Sequence, residues 1–467
     1  MPVKHAVVVS RLFSPEPAAA AFRLEALVRA LAATGVDVTV LTSRARPGSP
    51  AADDAALAGG GAGAGAGRVR VRRARVLRDS SGYVRGYLPY LSFDVPAAFR
   101  LLVVRRPDVV VVEPPPTTGV MVRVVCALRR VPYVYYAADV WSDAARSTGS
   151  PGIVSGLLAR LEGWAMRGAR GVVAVSEGVA DRVRELAGPS ADVEIVRNGI
   201  DTTTFHPSTP PALPAPPALP PTLSVPPTTP APTDDPTEMG TSAGEVHRAV
   251  QASRQSARST GVGADAGGEA GGAHGRYFLY AGTASEWQGA EVFVLALERV
   301  RERHPDVELV YLGSGSAWAG LVDLAERSAA GAVHLLAPVP PAQAARWHRG
   351  AVGALVSIVP GLGYDFALPT KLFAASASGV PVIFAGPRGT ASEVVDDGAL
   401  GLAVGHDPDA VAEAMVRLLE DPETTDPALR GARAARLAAW TEEHASIARV
   451  GERVAALAAR WATKERA

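Results

Sequence analysis

Short runs of apolar, mostly β-branched residues alternate with stretches of helical spacing twice along this chain, and no other feature limits its fold as much. His5-Ala6-Val7-Val8-Val9-Ser10 reads as a buried parallel strand. Leu24, Leu27, Val28 and Leu31 then recur at helical spacing, with Arg23, Glu25 and Arg29 off that face, and Gly35 ends the helix. Residues 36–42 (VDVTVLT) form the next strand. Strand, helix and strand in such close succession are the mark of a right-handed parallel unit. Further strands are expected at 108–113, 132–137, 171–176 and 193–196, with helices over 151–168 and 177–188. RVRVRRARVLR (68–78) alternates basic and apolar residues and suits a strand with one wet face; it lacks the interleaved aromatics of a nucleic-acid platform.

A second block opens with Tyr277-Phe278-Leu279-Tyr280-Ala281-Gly282. Helices are expected over 289–303, 341–349, 370–378 and 408–420, and strands over 308–312, 332–336, 351–358 and 381–385. Residues 428–463 are rich in Ala and Arg and read as helical. Each block is therefore an α/β unit with a doubly wound parallel sheet, and two of them imply a cleft. Between them, PSTPPALPAPPALPPTLSVPPTTPAPTDDP and GVGADAGGEAGGAHG mark a Pro/Gly-rich linker. Proline at that density excludes helix and sheet, and no apolar face is present, so disorder is expected, with a short helix near 243–256 as the one option. The Gly/Ala-rich stretch 48–67 reads as a flexible loop. The domains are thus 1–206, a linker over 207–275, 276–427, and a terminal helical segment over 428–467.

The chain's 467 residues suffice for two or three domains, and its formal net charge of zero argues against a nucleic-acid binder driven by bulk electrostatics. The charge is uneven: residues 1–206 hold 26 Lys or Arg against 18 Asp or Glu. A basic first half suits an anionic acceptor or peripheral contact with the inner face of a membrane; an Arg-rich solvated face explains it equally well. The single cysteine, Cys126, excludes an internal disulfide and a Cys-cluster zinc site and reads as a buried thiol. The nine His show no metal-ligand spacing, so no metal is expected. His304 and His348 read as helix-surface residues, and His334 as a strand residue that packs or borders a base pocket. The opening MPVKHAVVVSRLF lacks the apolar core of a signal peptide, and no uncharged apolar run reaches transmembrane length, so a cytoplasmic location is expected.

Lysine occurs only at Lys4, Lys371 and Lys464, so Lys371 is the one ammonium in the body of an Arg-rich chain. A compact ammonium suits a phosphate oxygen, and Pro369-Thr370-Lys371 opens a helix, where backbone N–H groups favour an anion. The alternative is an ordinary surface lysine. Gly282-Thr283 and Gly313-Ser314-Gly315 each follow a strand, where glycine lets backbone N–H groups approach an anion. Turn glycines are common, but together with Lys371 in one block they point to a nucleoside-diphosphate site. No GxGxxG opens the first helix, which weighs against nicotinamide or flavin, and no Walker lysine motif is present. In the first block, Tyr135-Tyr136-Ala137-Ala138-Asp139-Val140-Trp141 ends a strand in a charged turn. Asp139 there suits a sugar hydroxyl or an acceptor; an Asx turn or helix cap is the alternative. Asn198-Gly199 reads as a tight turn, with Asp201 and the threonines after it capping the exit into the linker.

These segments resemble the retaining, nucleotide-sugar-dependent glycosyltransferases of family 4. The resemblance is carried by FSPEPAAAAFRLEALVRALAATGVDVTVLT, AADVWSDAA, VVAVSEGVADRV, EIVRNGIDTTTFHP, YAGTASEWQGAEVFVLAL, VELVYLGSGS and ALPTKLFAASASGVPVIFAG, across roughly 1–206 and 276–425. ALPTKLF…ASGVPVI and AADVW are similar to the branch that acts in cell-surface polysaccharide synthesis. The resemblance implies the GT-B fold of two Rossmann-like domains, an N-terminal acceptor domain, and a C-terminal domain that binds a nucleoside-diphosphate sugar, UDP-linked by preference. It implies Lys371 at the diphosphate, assisted by backbone amides near Gly282 and Gly313, Ser314 and Gly315; the expected donor site further takes in Thr283, Asp365 and Thr370, and the expected catalytic pair is Lys371 and Asp139. It implies no metal or cofactor, a glycan or lipid-linked acceptor, and a terminal helix returning to the first domain. The chain departs from the family pattern at Ala374, where a ribose-binding Glu is usual, and at Gln288, where a basic residue is usual. Phe366 stands at the spacing of the family's upstream acid, with Asp365 the nearest acid, and Ala18–Ala21 replace glycines of the first loop. An epimerase or phosphorylase on the same fold, and a non-catalytic scaffold, are the rival readings.

Overall fold

The computed structural model describes residues 2–16, 19–45, 57, 65–78, 84, 87–113, 115–142, 152–211, 276–328 and 331–463. The expected linker beyond residue 211, its optional helix, and most of the 48–67 loop lie outside the described residues.

In the first block the elements run β1 (His5–Val9), α1 (Ala19–Ala33), β2 (Asp37–Ser43), β3 (Val69–Ala74), α2 (Tyr87–Val103), β4 (Val109–Val112), α3 (Pro116–Arg129), β5 (Tyr133–Ala137), α4 (Gly152–Gly168), β6 (Gly171–Ala174), α5 (Glu177–Ala187) and β7 (Val193–Ile195). The second opens with β8 (Tyr277–Thr283), a 3-10 turn (Glu286–Gln288), α6 (Val292–Arg303), β9 (Glu308–Ser314), α7 (Trp318–Ser328), β10 (Val333–Leu336) and α8 (Pro341–Gly350). It continues with β11 (Gly353–Ser357), α9 (Thr370–Ala377), β12 (Val382–Ala385), α10 (Thr390–Asp397), β13 (Gly401–Val404), α11 (Pro408–Glu420) and α12 (Pro422–Thr425). Two long helices, α13 (Pro427–Ala445) and α14 (Ile447–Thr463), close the chain. Of the described residues, those up to Gly199 together with α14 form one unit, and Ile200–Ser446 form the other.

The first unit holds a seven-stranded parallel sheet in the order β3-β2-β1-β4-β5-β6-β7. Its strands are apolar at successive positions because both faces are covered. Val8, Val111, Val134 and Val173 pack under Leu24, Leu27, Leu31 and the α14 residues Val454, Leu457 and Trp461. Val7, Val110, Val112 and Tyr135 pack under Phe93, Leu101, Val122 and Met166 on the other face. Cys126 is buried there, and burial pushes its thiol up to about 12. Trp461 lies flat on the Gly171 backbone, where a Cβ would overlap the indole, and its Nε1–H donates to Asp192 Oδ2 at 2.8 Å. The basic 68–78 stretch forms only the edge strand β3, with Arg70 and Arg72 on its exposed positions.

The second unit holds a six-stranded parallel sheet in the order β10-β9-β8-β11-β12-β13. The Ala/Arg-rich terminal stretch splits at Ser446. α13 stays with this unit, where Ala434 abuts Gly379 and Thr441 Oγ1 donates to Ser376 Oγ at 2.8 Å. The helices α7, α10 and α12 and the strand β13 of this block are additional to those expected from the alternation. His348, expected on a helix surface, is instead buried against Phe205 at 6.0 Å between ring centroids. The α8 face carrying Ala345 and His348 turns inward to Phe205 and Ala374, and burial drives the imidazole down to about 4, so it is neutral.

Candidate functional site

Each sheet reverses its strand order once, between β1 and β4 and between β8 and β11. Connections leave a parallel sheet in opposite directions at such a point, which opens a crevice at the strands' carboxyl ends. In both units the candidate residues collect there.

In the second unit, β8 and β9 run in register to their ends, with Gly282 opposite Gly313 and Thr283 opposite Ser314. A Cβ on Gly313 would overlap the Gly282 carbonyl, and one on Gly315 would overlap that of Ala284. Backbone thus meets backbone without side chains between, and Gly282, at φ +123°, adopts a conformation that favours glycine. The Ser314 hydroxyl is buried there without a hydrogen-bond partner. Lys371, in the first turn of α9, reaches over this floor. Its Nζ donates to the Thr283 carbonyl at 3.0 Å and stands 3.9 Å from the centroid of the Tyr280 ring. The Tyr280 hydroxyl donates to the same carbonyl at 2.8 Å. A Cβ on Gly282 would stand 3.5 Å from Lys371 Cε and 3.8 Å from its Nζ, so glycine keeps the lysine's approach open. The ammonium's hydrogen-bond and ring partners here are a carbonyl and a π face, neither carrying a formal charge. Burial drives its pKa from near 10.5 down to about 7.

The other expected residues of this block have local roles. Asp365 is exposed, and its carboxylate accepts the Gly361 N–H at 2.9 Å, tying the loop between β11 and α9. Thr370 is exposed at the first position of α9. Gln288 is buried and folds back on its own turn, its Oε1 accepting the Ser285 N–H at 3.0 Å in a capping box. Ala374, only 7% exposed, packs with Phe205, Ala345 and Ala377. A carboxylate there would enter an apolar cluster, which accounts physically for the missing Glu. His334 lies on the edge strand β10, its Nε2 3.4 Å from Glu308 Oε2. Among the described residues, no group of three His, Cys, Asp or Glu could hold a metal ion.

In the first unit, Asp139 follows β5, and two residues beside it were not foreseen. Arg23, expected on the polar side of α1, is only 7% exposed. Its Nη2 pairs with Glu113 Oε1 at 2.6 Å, and its Nη1 donates to Asn198 Oδ1 at 3.2 Å. The guanidinium lies 5.7 Å from the Tyr136 ring centroid. Glu113 directly follows β4, is 3% exposed, and accepts a longer bond from Ser10 Oγ at 3.4 Å. Burial works against the Arg23 charge, but Glu113, together with Tyr136 and Asp139, holds the guanidinium above its usual range. Asp139 keeps accessible surface, yet the protein atoms crowded around it raise its carboxyl, and Arg23 opposes that rise. The clue in the sequence is Glu113 at the end of VVVV: a carboxylate closing a fully apolar strand needs a buried cation. Asn198 therefore serves this network as well as its turn. Asp201 accepts from the Thr203 N–H at 3.0 Å and from the Thr203 and Thr204 hydroxyls, both at 2.6 Å.

Residues 20–204 match the family described as Glycosyltransferase Family 4, and residues 275–421 match Glycosyl transferases group 1. The chain belongs to the family-4 glycosyltransferases. Its GT-B fold is shared with the Anabaena protein HepE in complex with UDP-glucose, at 13% identity over 97% of this chain and 98% of that one, TM-score 0.57. It is also shared with a glycosyltransferase from Rickettsia africae, at 11% identity over 99% and 100% of the two chains, TM-score 0.59. Among curated proteins, this family-4 chain is 31% identical over 157 residues to the D-inositol 3-phosphate glycosyltransferase of Paenarthrobacter aurescens, covering 32% of this chain. It is 35% identical over 139 residues, 29% of this chain, to a GDP-mannose-dependent alpha-(1-6)-phosphatidylinositol monomannoside mannosyltransferase of Mycolicibacterium smegmatis. These alignments span 37% and 36% of the relatives' own lengths.

Proposed function

We propose that this family-4 protein transfers a sugar, with retention, from a nucleoside-diphosphate sugar to a hydroxyl of a glycan or lipid-linked acceptor, in the synthesis of a cell-surface glycan. The observation that carries the reading is the half-buried Lys371 ammonium, without a carboxylate partner among the described residues, over the side-chain-free Gly282–Gly313 floor. A dianionic diphosphate would supply the missing counter-charge, and the open backbone leaves room for its close approach. In the reaction the bond from the anomeric carbon to the diphosphate oxygen breaks. The acceptor oxygen bonds the same face of that carbon, and its proton passes to a leaving phosphate oxygen. Lys371 stabilises the charge that develops on the diphosphate, so no metal is required. Asp139, restrained by Arg23, holds a hydroxyl of the acceptor or of the sugar in the first unit. The likeness to a UDP-glucose complex supports UDP as the base carrier, while the mannosyltransferase relative keeps GDP in contention.

The test is nucleoside-diphosphate release from a panel of UDP-, GDP-, ADP- and dTDP-sugars, with and without acceptors. Release that depends on an acceptor supports transfer; interconversion of the donor without release would support an epimerase, and release dependent on inorganic phosphate a phosphorylase. Ala374 in its apolar cluster and Gln288 in its capping box favour a second reading, a scaffold that binds donor without turning it over. Donor binding with no release over a broad acceptor panel would select it.

A further inference from the structure

Helix α2 is apolar on two sides. Phe93, Ala97 and Leu101 are buried in the core of the first unit. Leu88, Leu91, Val95, Phe99 and Val103 form a second stripe that faces solvent, with Leu88 72% and Phe99 66% exposed. A helix apolar all round is ordinarily covered on every side. The neighbouring helices of the same layer, α3 and α4, add exposed Leu128 and Leu157.

The exposed charges on α2, α3 and α4 have one sign, whereas α5 beyond them carries exposed Glu177, Asp181 and Glu185. The only acids in α2, α3 and α4 are Asp94 and Glu162, and both turn inward. Asp94 accepts from the Thr118 hydroxyl at 2.6 Å, and Glu162 accepts the Trp141 and Ser142 N–H groups, each at 3.1 Å. Exposed Arg105, Arg160 and Arg167 remain at the solvent side of the layer. A protein partner of mixed charge would find no exposed acid on these three helices to pair with its own cations, whereas an anionic surface that accepts apolar side chains satisfies both features at once. The interfacial region of a bilayer with acidic headgroups is such a surface.

We infer that the exposed face of α2, with the arginines of α4 and of the α2–β4 loop, docks the first unit on an anionic phospholipid bilayer. Apolar side chains enter the headgroup boundary, and the guanidinium groups pair with lipid phosphates. This inference rests on the surface of one unit and holds whether or not the sugar-transfer reading does.

The test is flotation of the full chain with vesicles of phosphatidylcholine alone and of phosphatidylcholine mixed with phosphatidylglycerol. The expected result is binding to the mixed vesicles only, weakened by salt because headgroup charges are screened over roughly 10 Å at 0.1 M. The double variant Leu91→Glu/Phe99→Glu should bind at least roughly tenfold more weakly, since two apolar side chains that enter the headgroup boundary are replaced by carboxylates. Arg105→Glu/Arg160→Glu should lose the preference for anionic vesicles. Thermal unfolding of each variant should match the parent, as these side chains face solvent. Failure of the parent to float with either vesicle, or equal binding by the apolar variant, overturns the proposal. A concentration-dependent dimer abolished by the same apolar variant, without flotation of the parent, assigns the face to a second copy of the chain and equally overturns it.

Discussion

Replacing Lys371 with Met should stabilise the protein while abolishing its donor site. The lysine pKa falls from near 10.5 to about 7 because the ammonium is crowded by protein atoms, with the Thr283 carbonyl and the Tyr280 ring as its contacts. The unfolded chain then binds more protons than the folded one between pH 7 and 10.5, so stability rises with pH across that window. The full shift corresponds to at most about 5 kcal/mol of destabilisation at neutral pH. Part of the side chain stays accessible, so the working figure is about 2 kcal/mol. Methionine has similar length, no charge and a favourable sulfur–ring contact, so Lys371→Met should raise ΔG of unfolding by about 2 kcal/mol at pH 7. The assay is urea unfolding of parent and variant at pH 7 and pH 10. The advantage of the variant should shrink as pH approaches 10, because the parent then folds with a neutral amine at little cost. Nucleoside-diphosphate binding should show the opposite pH trend in the parent, weakening above pH 7 as the free lysine loses its proton, and should be absent in the variant. A variant no more stable than the parent at pH 7, or an advantage independent of pH, would refute a desolvated ammonium at this position.

Three further outcomes follow from the packing. Trp461→Ala should destabilise the first unit by about 3–5 kcal/mol, since the indole is wholly buried against Gly171; a change under about 1 kcal/mol in urea unfolding would remove α14 from that core. Gly313→Ala should abolish donor-induced thermal stabilisation, because its Cβ would overlap the Gly282 carbonyl and push the strand ends apart; unchanged donor binding would show the floor is not used. Arg23→Met should cost about 3–5 kcal/mol by stranding the buried Glu113, whereas Arg23→Met/Glu113→Leu should regain most of that stability without regaining turnover, as read by unfolding and donor release together.

Much of this architecture is legible because parallel strands buried on both faces leave unbroken apolar runs such as HAVVV and VVVV, which amphipathic helices separate. Two of the elements that escaped are short or at the margin. β13 is four residues, Gly-Leu-Ala-Val, on an edge where burial is partial, so it lacks the β-branched signature of the central strands. α10 offers only eight residues, with Val395 as its deepest apolar anchor. Lys371 stood out because the chain otherwise uses arginine. Its partner Tyr280 did not, since a tyrosine within a strand reads first as packing. Arg23 was hidden for a related reason. Helical periodicity assigns a charged residue to the wet face, and only the three-dimensional pairing with Glu113, 90 positions away, shows that it is buried. His348 misled in the same way, because a polar residue at the end of a surface helix can still face a small apolar cluster.

The most direct test of the central claim is the rate of nucleoside-diphosphate release by the parent and by Lys371→Ala, with the donor and acceptor that the panel identifies. A diphosphate held by Lys371 predicts acceptor-dependent turnover in the parent and a loss of roughly 10²–10³-fold in the variant, the cost of one charge contact to a developing oxyanion. Full turnover in Lys371→Ala would contradict it.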